Sequence, residues 1–398
     1  MKKLFSLCLC FMASVALLSA ATISVSPGTG TIKAAISNAS SGDVLVLAAG
    51  EYTESSTLRP GAKALTIKAA DGATCTVNMG SRFEVVANFS LQNLILKGAS
   101  TELLRMAKGT TPYDVSVTGC RLSGCTSKYI RVYFDEDNET QPTSPRVNNV
   151  TIQDCVFLMG TDAANAVRAF HAGPWAHLLF NGLSIKNCTF DGGKNGTGRI
   201  IYVSANAPDA DLPNAVDMQG TVEVDHCTFY NSKETRGVYF PNINGTHITN
   251  CIFMNPEERA NTVSYALYGK DALIENSLSW NAPIKLDYDA TQKSCVMRNP
   301  YFVDADNGNF QLYKNSIAVN MGTDGTTIGD PRWGVSSENY DNSDEPYTPY
   351  KMPYTMAPTT TSIKVVWQMA DESEATDALI YYGTDPDNLN QQVTSNDG

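Results

Sequence analysis

One eight-residue pattern recurs about nine times along the chain: an apolar-x-apolar strand, a polar pair, and a second apolar-x-apolar strand. Clear copies are Phe89-Ser-Leu-Gln-Asn-Leu-Ile-Leu96, Val115-Ser-Val-Thr-Gly-Cys-Arg-Leu122 and Val150-Thr-Ile-Gln-Asp-Cys-Val-Phe157. Leu183-Ser-Ile-Lys-Asn-Cys-Thr-Phe190, Val222-Glu-Val-Asp-His-Cys-Thr-Phe229 and Thr246-His-Ile-Thr-Asn-Cys-Ile-Phe253 continue the series. Ala272-Leu-Ile-Glu-Asn-Ser-Leu-Ser279 and Cys295-Val-Met-Arg-Asn-Pro-Tyr-Phe302 are weaker, and Leu65-Thr-Ile-Lys68 is an earlier half-copy. Self-similarity of this kind marks a solenoid, in which no single unit can bury its apolar face alone. Each strand alternates, so one face points inward. The phase breaks at the polar pair, and a bend there lets both strands face one core. Its second position holds Asn93, Gly119, Asp154, Asn187, His226, Asn250, Asn276 and Asn299. Asn, Asp, His and Gly best tolerate left-handed backbone. An Asn there can also bond to its counterpart on the next coil. The expected fold is all-β, a right-handed parallel β-helix.

The next position is Cys in five copies, Cys120, Cys155, Cys188, Cys227 and Cys251. A secreted chain would ordinarily pair its cysteines. Here the register stacks them about 4.8 Å apart on successive coils, where a thiol behaves as a small apolar residue. Disulfide geometry is demanding, so reduced core packing is the expectation. Without a Cys-x-x-Cys spacing, a metal site is not expected from them.

Lys2 and Lys3, the apolar run over residues 5–18 and Ser19-Ala20-Ala21 read as a cleavable secretory leader. The run is too short for a good membrane span, and a secreted, periplasmic or surface location is expected. A net charge of -12 argues against nucleic acid, which needs a basic footprint. It leaves room for a local basic stripe facing an anionic glycan. A monomer is the expected state.

Residues 31–39 carry Ile32, Ala35, Ile36 and Ala39 on one helical face, a cap for the solenoid. With Gly42-Asp43, Leu47, Gly50 and Tyr52, this stretch resembles the opening of the pectate-lyase-like right-handed β-helix superfamily. That resemblance implies the fold and says little of activity, since lyases, hydrolases and non-enzymes share it. Asn309-Phe-Gln-Leu-Tyr313 and Ile328-Gly-Asp-Pro-Arg-Trp-Gly334 resemble the closing segment of Bacteroidetes secreted β-helix proteins of unknown function. A more distant likeness is to chondroitinase-B-like and alginate-lyase-like enzymes. Residues 338–353 read as a polar linker. Thr361-Ser-Ile-Lys-Val-Val-Trp-Gln368 and Ala378-Leu-Ile-Tyr-Tyr-Gly383 read as strands, and Gly383-Thr-Asp-Pro-Asp-Asn-Leu389 resembles the start of a fibronectin-type-III-like module. The expected division is a signal peptide over 1–21, the β-helix over 22–337, the linker, and a truncated fibronectin-III-like module over 354–398, a partial β-sandwich.

Because the motif residues are core, chemistry is expected on outward faces and in the longer connections between about Gly119 and Asn250. Arg131, Arg168, Arg199 and Arg236 each follow the Cys position at similar distance. Guanidinium groups bind carboxylate or sulfate bidentately. This gives a candidate binding set of Arg131, Arg168, His171, Trp175, Tyr202 and Tyr239, with Tyr129 as a further stacking ring. In the lyases that the chain distantly resembles, Arg or Lys serves as base in β-elimination, often with Ca²⁺ on the carboxylate. The resemblance therefore makes Arg199, Arg236 and Lys233 the catalytic candidates if the protein is an enzyme. Asp135, Glu136 and Asp137 form the carboxylate cluster best suited to Ca²⁺. Two readings stay open: a protein that binds or cleaves a uronate-containing polysaccharide, and a non-catalytic glycan-binding or adhesive surface protein. A set of solvated arginines paired with Asp and Glu is the plainer account of the same residues.

Overall fold

The computed structural model describes residues 20–394 apart from 99–100, 134–146, 161–166, 173–179, 195, 204–221, 233–237, 240–244, 258–264, 269–271, 288–289, 324, 342–348, 357–363, 370–378 and 383–390. The leader, Trp175, Lys233, Arg236 and the Asp135-Glu136-Asp137 cluster lie outside the described residues.

Three parallel sheets wind round one core, as a right-handed β-helix requires. Two have eleven strands and the third has seven. A representative coil runs Val147–Gln153 in the first sheet, Val156–Leu158 in the second and Arg168–Ala172 in the third. Each strand pairs with its counterparts one coil before and after, for example Val115↔Val150↔Leu183↔Val222. Parallel strands of one sheet cannot be joined by a tight turn. Winding through two other sheets is how this chain returns to each one.

The bend between first and second sheets is left-handed where the sequence placed it: Asn93, Asp154, Asn187, His226, Asn250 and Asn276 have φ between 44° and 57°, and Gly119 has φ 64°. Gly119 is required, since a Cβ there would lie 2.1 Å from Asn93 Oδ1. Asn187 Nδ2 donates to Asp154 Oδ1 across one coil step at 3.0 Å. The last copy corrects the sequence reading. Its bend is Ser294 (φ 51°), not Asn299. Thr291–Lys293 and Val296–Met297 are the strands, which places Cys295 at the Cys position. The misreading arose because Tyr301 and Phe302 supplied a convincing apolar end five residues too late.

The Cys position has a physical reason. Sγ of Cys155, Cys188, Cys227 and Cys251 each donates to the carbonyl two residues earlier, at 3.2, 3.1, 3.2 and 3.0 Å. Each thus adds a second donor to a carbonyl that already accepts the amide of the preceding coil's bend residue, Gly119 to Gln153, Asp154 to Lys186, Asn187 to Asp225 and His226 to Thr249. Ser277 does the same work with Oγ at 2.9 Å from the Glu275 carbonyl. All eight cysteines of the described chain are free, and seven are buried. Beside them Phe157, Phe190, Phe229 and Phe253 stack with centroids 5.0, 4.9 and 4.9 Å apart.

Helix Thr31–Asn38 caps the first coil with Ile32 and Ile36 buried. Its N-terminal amides on Ile32 and Lys33 donate to Glu54 Oε1 at 2.8 and 3.3 Å. Asp43 accepts from the amides of Ala21 and Ser40, and Tyr52 Oη donates to the Val25 carbonyl at 2.8 Å. The opening motif is therefore a set of contacts that close the end of the core.

After the last coil an antiparallel pair, Phe302–Asp304 with Asn309–Leu312, leads into a strap that returns over the outer face of the second sheet. Asp330 Oδ2 accepts from Thr189 Oγ1 at 2.7 Å, Trp333 Nε1 donates to the same hydroxyl at 2.7 Å, and Arg332 donates to the carbonyls of Asp154 and Cys155. Beyond it lie two antiparallel pairs, Pro349–Met356 with Lys364–Met369 and Leu379–Tyr382 with Gln391–Thr394. The first of these begins inside the stretch read from sequence as linker. No helix among the described residues is long and apolar enough to cross a membrane.

Candidate functional site: the outer face of the third sheet

The third strand of each coil was not legible as a strand. What sequence reading took for long connections contains Lys128–Val132, Arg168–Ala172 and Ile201–Val203. With Glu102–Met106 of an earlier coil, the strands Lys128–Val132 and Arg168–Ala172 open on a four-residue signature, polar-apolar-apolar-polar: Glu102-Leu-Leu-Arg105, Lys128-Tyr-Ile-Arg131 and Arg168-Ala-Phe-His171; Arg199-Ile-Ile-Tyr202 repeats it across the start of Ile201–Val203. The two middle residues are buried in each, and the outer two point away from the core. Two consecutive buried residues break the period of two by which a strand shows in sequence.

The pairing sets the outward residues in rows along the solenoid. One row runs Glu84, Arg105, Arg131, His171 and Tyr202, and the backbone of Tyr202 pairs in turn with that of Tyr239. A parallel row holds Glu102, Lys128 and Arg168, and Arg199 precedes Tyr202 by the same three residues that separate Arg168 from His171. Five of the predicted residues, Arg131, Arg168, His171, Arg199 and Tyr202, thus stand on one surface.

Two tyrosine rings organise the arginines. The guanidinium carbons of Arg105 and Arg131 lie 4.2 and 4.8 Å from the centroid of Tyr133. Those of Arg168 and Arg199 lie 4.2 and 4.9 Å from the centroid of Tyr202. Such stacking fixes a cation against a ring while leaving its edge donors directed elsewhere.

Glu102, absent from the sequence prediction, anchors the first group. It accepts from Arg105 Nε at 2.6 Å and Arg131 Nη1 at 2.8 Å, with Arg82 Nε at 3.8 Å. Its side chain is only 4% exposed. Burial alone would raise its pKa, but the hydrogen bonds from Arg105 and Arg131 overcome this and hold it below the usual value. Glu84 likewise joins Arg59 and Arg82 at 2.7 and 2.8 Å. In the early coils, then, Arg59, Arg82, Arg105 and Arg131 are ion-paired with Glu84 or Glu102.

His171 stacks on Tyr202, centroids 5.2 Å apart and planes 7° from parallel. Arg168 Nη1 lies 2.9 Å from its Nδ1. Arginine only donates, so Nδ1 accepts and the ring proton sits on Nε2. Burial, then the charges of Arg168, Lys128 and Arg131, push its pKa down to about 2. His171 is neutral across the physiological range and too weak a base to take a carbon-bound proton. Tyr129 does not present a stacking ring. It is fully buried, its hydroxyl donating to the Leu158 carbonyl at 2.5 Å. His226 and His247 face Asp225 at 2.9 Å and Glu275 at 3.7 Å. Among the described residues no group of three or more His, Cys, Asp or Glu side chains is placed to hold a metal ion.

The fold and this surface define a class: a right-handed parallel β-helix carrying a row of arginines and aromatic rings on one sheet. Residues 222–333 match a family described as a domain of unknown function, DUF5123. That span begins at Val222–Asp225 and ends in the strap, so it covers later coils together with the segment that latches onto them. No curated protein matches the chain in sequence. Among solved structures, the chain is similar to the PL6 family alginate lyase AlyGC, with 17% identity, a TM-score of 0.33 and coverage of 70% of this chain and 40% of that one. It is also similar to pectate lyase Pel9A, with 12% identity, a TM-score of 0.38 and coverage of 77% and 92%. The chain thus spans well under half of the alginate lyase's length.

Proposed function

We propose that the protein is a secreted glycan-binding protein that takes an acidic, uronate-containing polysaccharide on the outer face of the third sheet. The observation that carries this reading is the arrangement of Arg105 and Arg131 about Tyr133, repeated by Arg168 and Arg199 about Tyr202. Each group gathers two guanidiniums, the side chain best suited to carboxylate or sulfate; Glu102 already takes donors of Arg105 and Arg131, and the ring faces are covered by the guanidiniums and, at Tyr202, by His171. The overall charge of -12 makes such a local cationic row more selective, since a polyanion is repelled by most of the remaining surface.

Binding is the chemistry these residues support best. A β-elimination needs a base near neutral working pH and a group to stabilise the enolate. His171 does not supply the base, and Arg199 is held against Tyr202. Lys233, Arg236 and the carboxylates proposed for Ca²⁺ lie outside the described residues.

The test is retention on immobilised alginate, polygalacturonate, chondroitin and heparin, with neutral dextran as control. Retention on at least one acidic polymer, weakened about tenfold in Arg168→Ala or Tyr202→Ala by loss of about 1.4 kcal/mol, is expected. Equal retention on dextran, or unchanged binding by both variants, overturns the reading. Ultraviolet absorbance of unsaturated uronate in the same samples reports any cleavage.

A further inference from the structure

In the described coils from Asn93 to Ser294, the left-handed bend position holds Asn, Asp, Gly or Ser, and His only at His226. That coil is also where the strap brings a hydroxyl. Asp225 Oδ1 lies 2.9 Å from His226 Nδ1, and His226 Nε2 lies 3.2 Å from Thr326 Oγ1. Burial opposes the charge of Asp225, but hydrogen bonds from His226, Thr249 and Asn250 hold its pKa well below the ordinary carboxylate value. The carboxylate only accepts, so in the neutral imidazole Nδ1 carries the proton, Nε2 accepts, and the Thr326 hydroxyl donates to it. An orienting acid, a base and a hydroxyl are thus joined in the order that activates a nucleophile. Their positions are fixed by other bonds. Thr249 Oγ1 and Asn250 Nδ2 also donate to Asp225 Oδ1, at 2.8 and 2.9 Å. The amides of Thr323 and Gly329 donate to Asn250 Oδ1 and to the Asn250 carbonyl at 2.9 and 2.8 Å. The strap is therefore pinned on both sides of Thr326 by contacts that do not use the Thr326 side chain, the kind of support that holds a reacting group in place.

Thr326 is exposed, and with His226 it lines a cavity of about 480 Å³ between the strap and the second sheet. Ile252, Phe302, Phe310 and Leu312 give this cavity an apolar side, and Asn320 adds an amide. We propose that Asp225, His226 and Thr326 form a hydrolytic site for carboxylic esters with a short, uncharged acyl group, which the cavity takes while the alcohol part stays in solvent. Thr326 Oγ bonds to the ester carbonyl carbon as its proton passes to His226 Nε2. The bond to the alcohol oxygen then breaks, and His226 gives that proton to the departing alkoxide. Water attacks the acyl-threonine in turn, yielding a proton to His226. Thr326 recovers this proton as the acid leaves, so the net reaction is ester and water to acid and alcohol. Asn320 donates to the carbonyl oxygen while it carries charge. Asp225 touches no reacting atom and acts by positioning His226. The site shares no residue with the arginine-bearing surface of the third sheet, and neither reading depends on the other.

The test is hydrolysis of p-nitrophenyl acetate and p-nitrophenyl butyrate, followed by the absorbance of the released phenolate. Saturable turnover is expected, with kcat lowered about a hundredfold or more in Thr326→Ala and in His226→Asn. The Asn variant keeps a residue type that the bend accepts in neighbouring coils, as at Asn187 and Asn250. Thr326→Ser, which keeps the hydroxyl, should retain turnover. A fluorophosphonate should label Thr326 in the parent protein and fail to do so in His226→Asn. Turnover that survives in Thr326→Ala, parent turnover no faster than that of His226→Asn, or labelling at a residue other than Thr326 overturns the proposal. Limited proteolysis of the strap separates chemistry from fastening. Cleavage at the parent rate is expected in Thr326→Ala, whereas lost turnover matched by faster cleavage would make Thr326 a fastener of the strap and overturn its role as nucleophile.

Discussion

Replacing Glu102 with Gln perturbs the site at its anchor. The substitution keeps size and one acceptor but removes the charge that Arg105 and Arg131 address at 2.6 and 2.8 Å. Breaking a buried ion pair by removing one partner costs about 3–5 kcal/mol, because the remaining charge is left uncompensated. The arginines retain 17% and 12% exposure, so water reaches their ends and the lower figure, about 3 kcal/mol, is the better expectation. A solenoid loses stability locally rather than all at once. The suitable assay is therefore amide hydrogen exchange, resolved to peptides covering Glu102–Met106 and Lys128–Val132. Exchange through local opening should accelerate by roughly a hundredfold there and little in the helix Thr31–Asn38. The pH dependence has a definite sign. The Glu102 pKa is depressed in the fold from 4.5, so its stabilisation is complete above that value and is lost as pH falls through the folded pKa. The parent protein should lose protection in these strands below about pH 4.5, and Glu102→Gln should lack that part of the acid response. Exchange within threefold of the parent, or an unchanged acid response, would refute the role assigned to this carboxylate.

Other consequences follow from the same geometry. Gly119→Ala forces a Cβ to within 2.1 Å of Asn93 Oδ1 at a residue with φ 64° and should cost about 2 kcal/mol, read by chemical denaturation; a neutral effect would contradict the close stacking of bends. In a protein beginning at Ala20, Ellman's reagent should find only Cys295 reactive among the eight thiols before denaturation and all eight after it; disulfides in the native protein would contradict the thiol-to-carbonyl arrangement. Asp330→Asn removes the buried partner of Arg332, and proteolysis in the strap near residues 314–340 should quicken at least tenfold as its detached population rises.

How much of this was readable from the residues depends on which sheet is considered. The first two sheets announce themselves, since Val150, Ile152, Cys155 and Phe157 alternate cleanly about a left-handed Asp154. The third sheet does not. Its strands bury two consecutive residues, as at Tyr129 and Ile130, and this breaks the period that strand-reading relies on. Arg131, Arg168 and Arg199 were still found, because charge is conspicuous against an apolar background. Glu102 and Tyr133 were missed: the first looks like one more acidic residue, and its partners come from different coils. The strap was recognised as a closing segment, but its contacts lie 141 and 144 residues away in the chain, from Thr189 to Asp330 and Trp333. Local sequence carries no trace of such a distance.

The central claim is that the third sheet's outer face is the binding surface. Arginine-selective labelling with phenylglyoxal, read by mass spectrometry with and without a retained acidic polymer, tests it most directly. Protection of Arg131, Arg168 and Arg199, with Arg59 and Arg298 labelled equally in both samples, is the predicted result. Protection confined to arginines elsewhere, or none at those three while the polymer is bound, would contradict it.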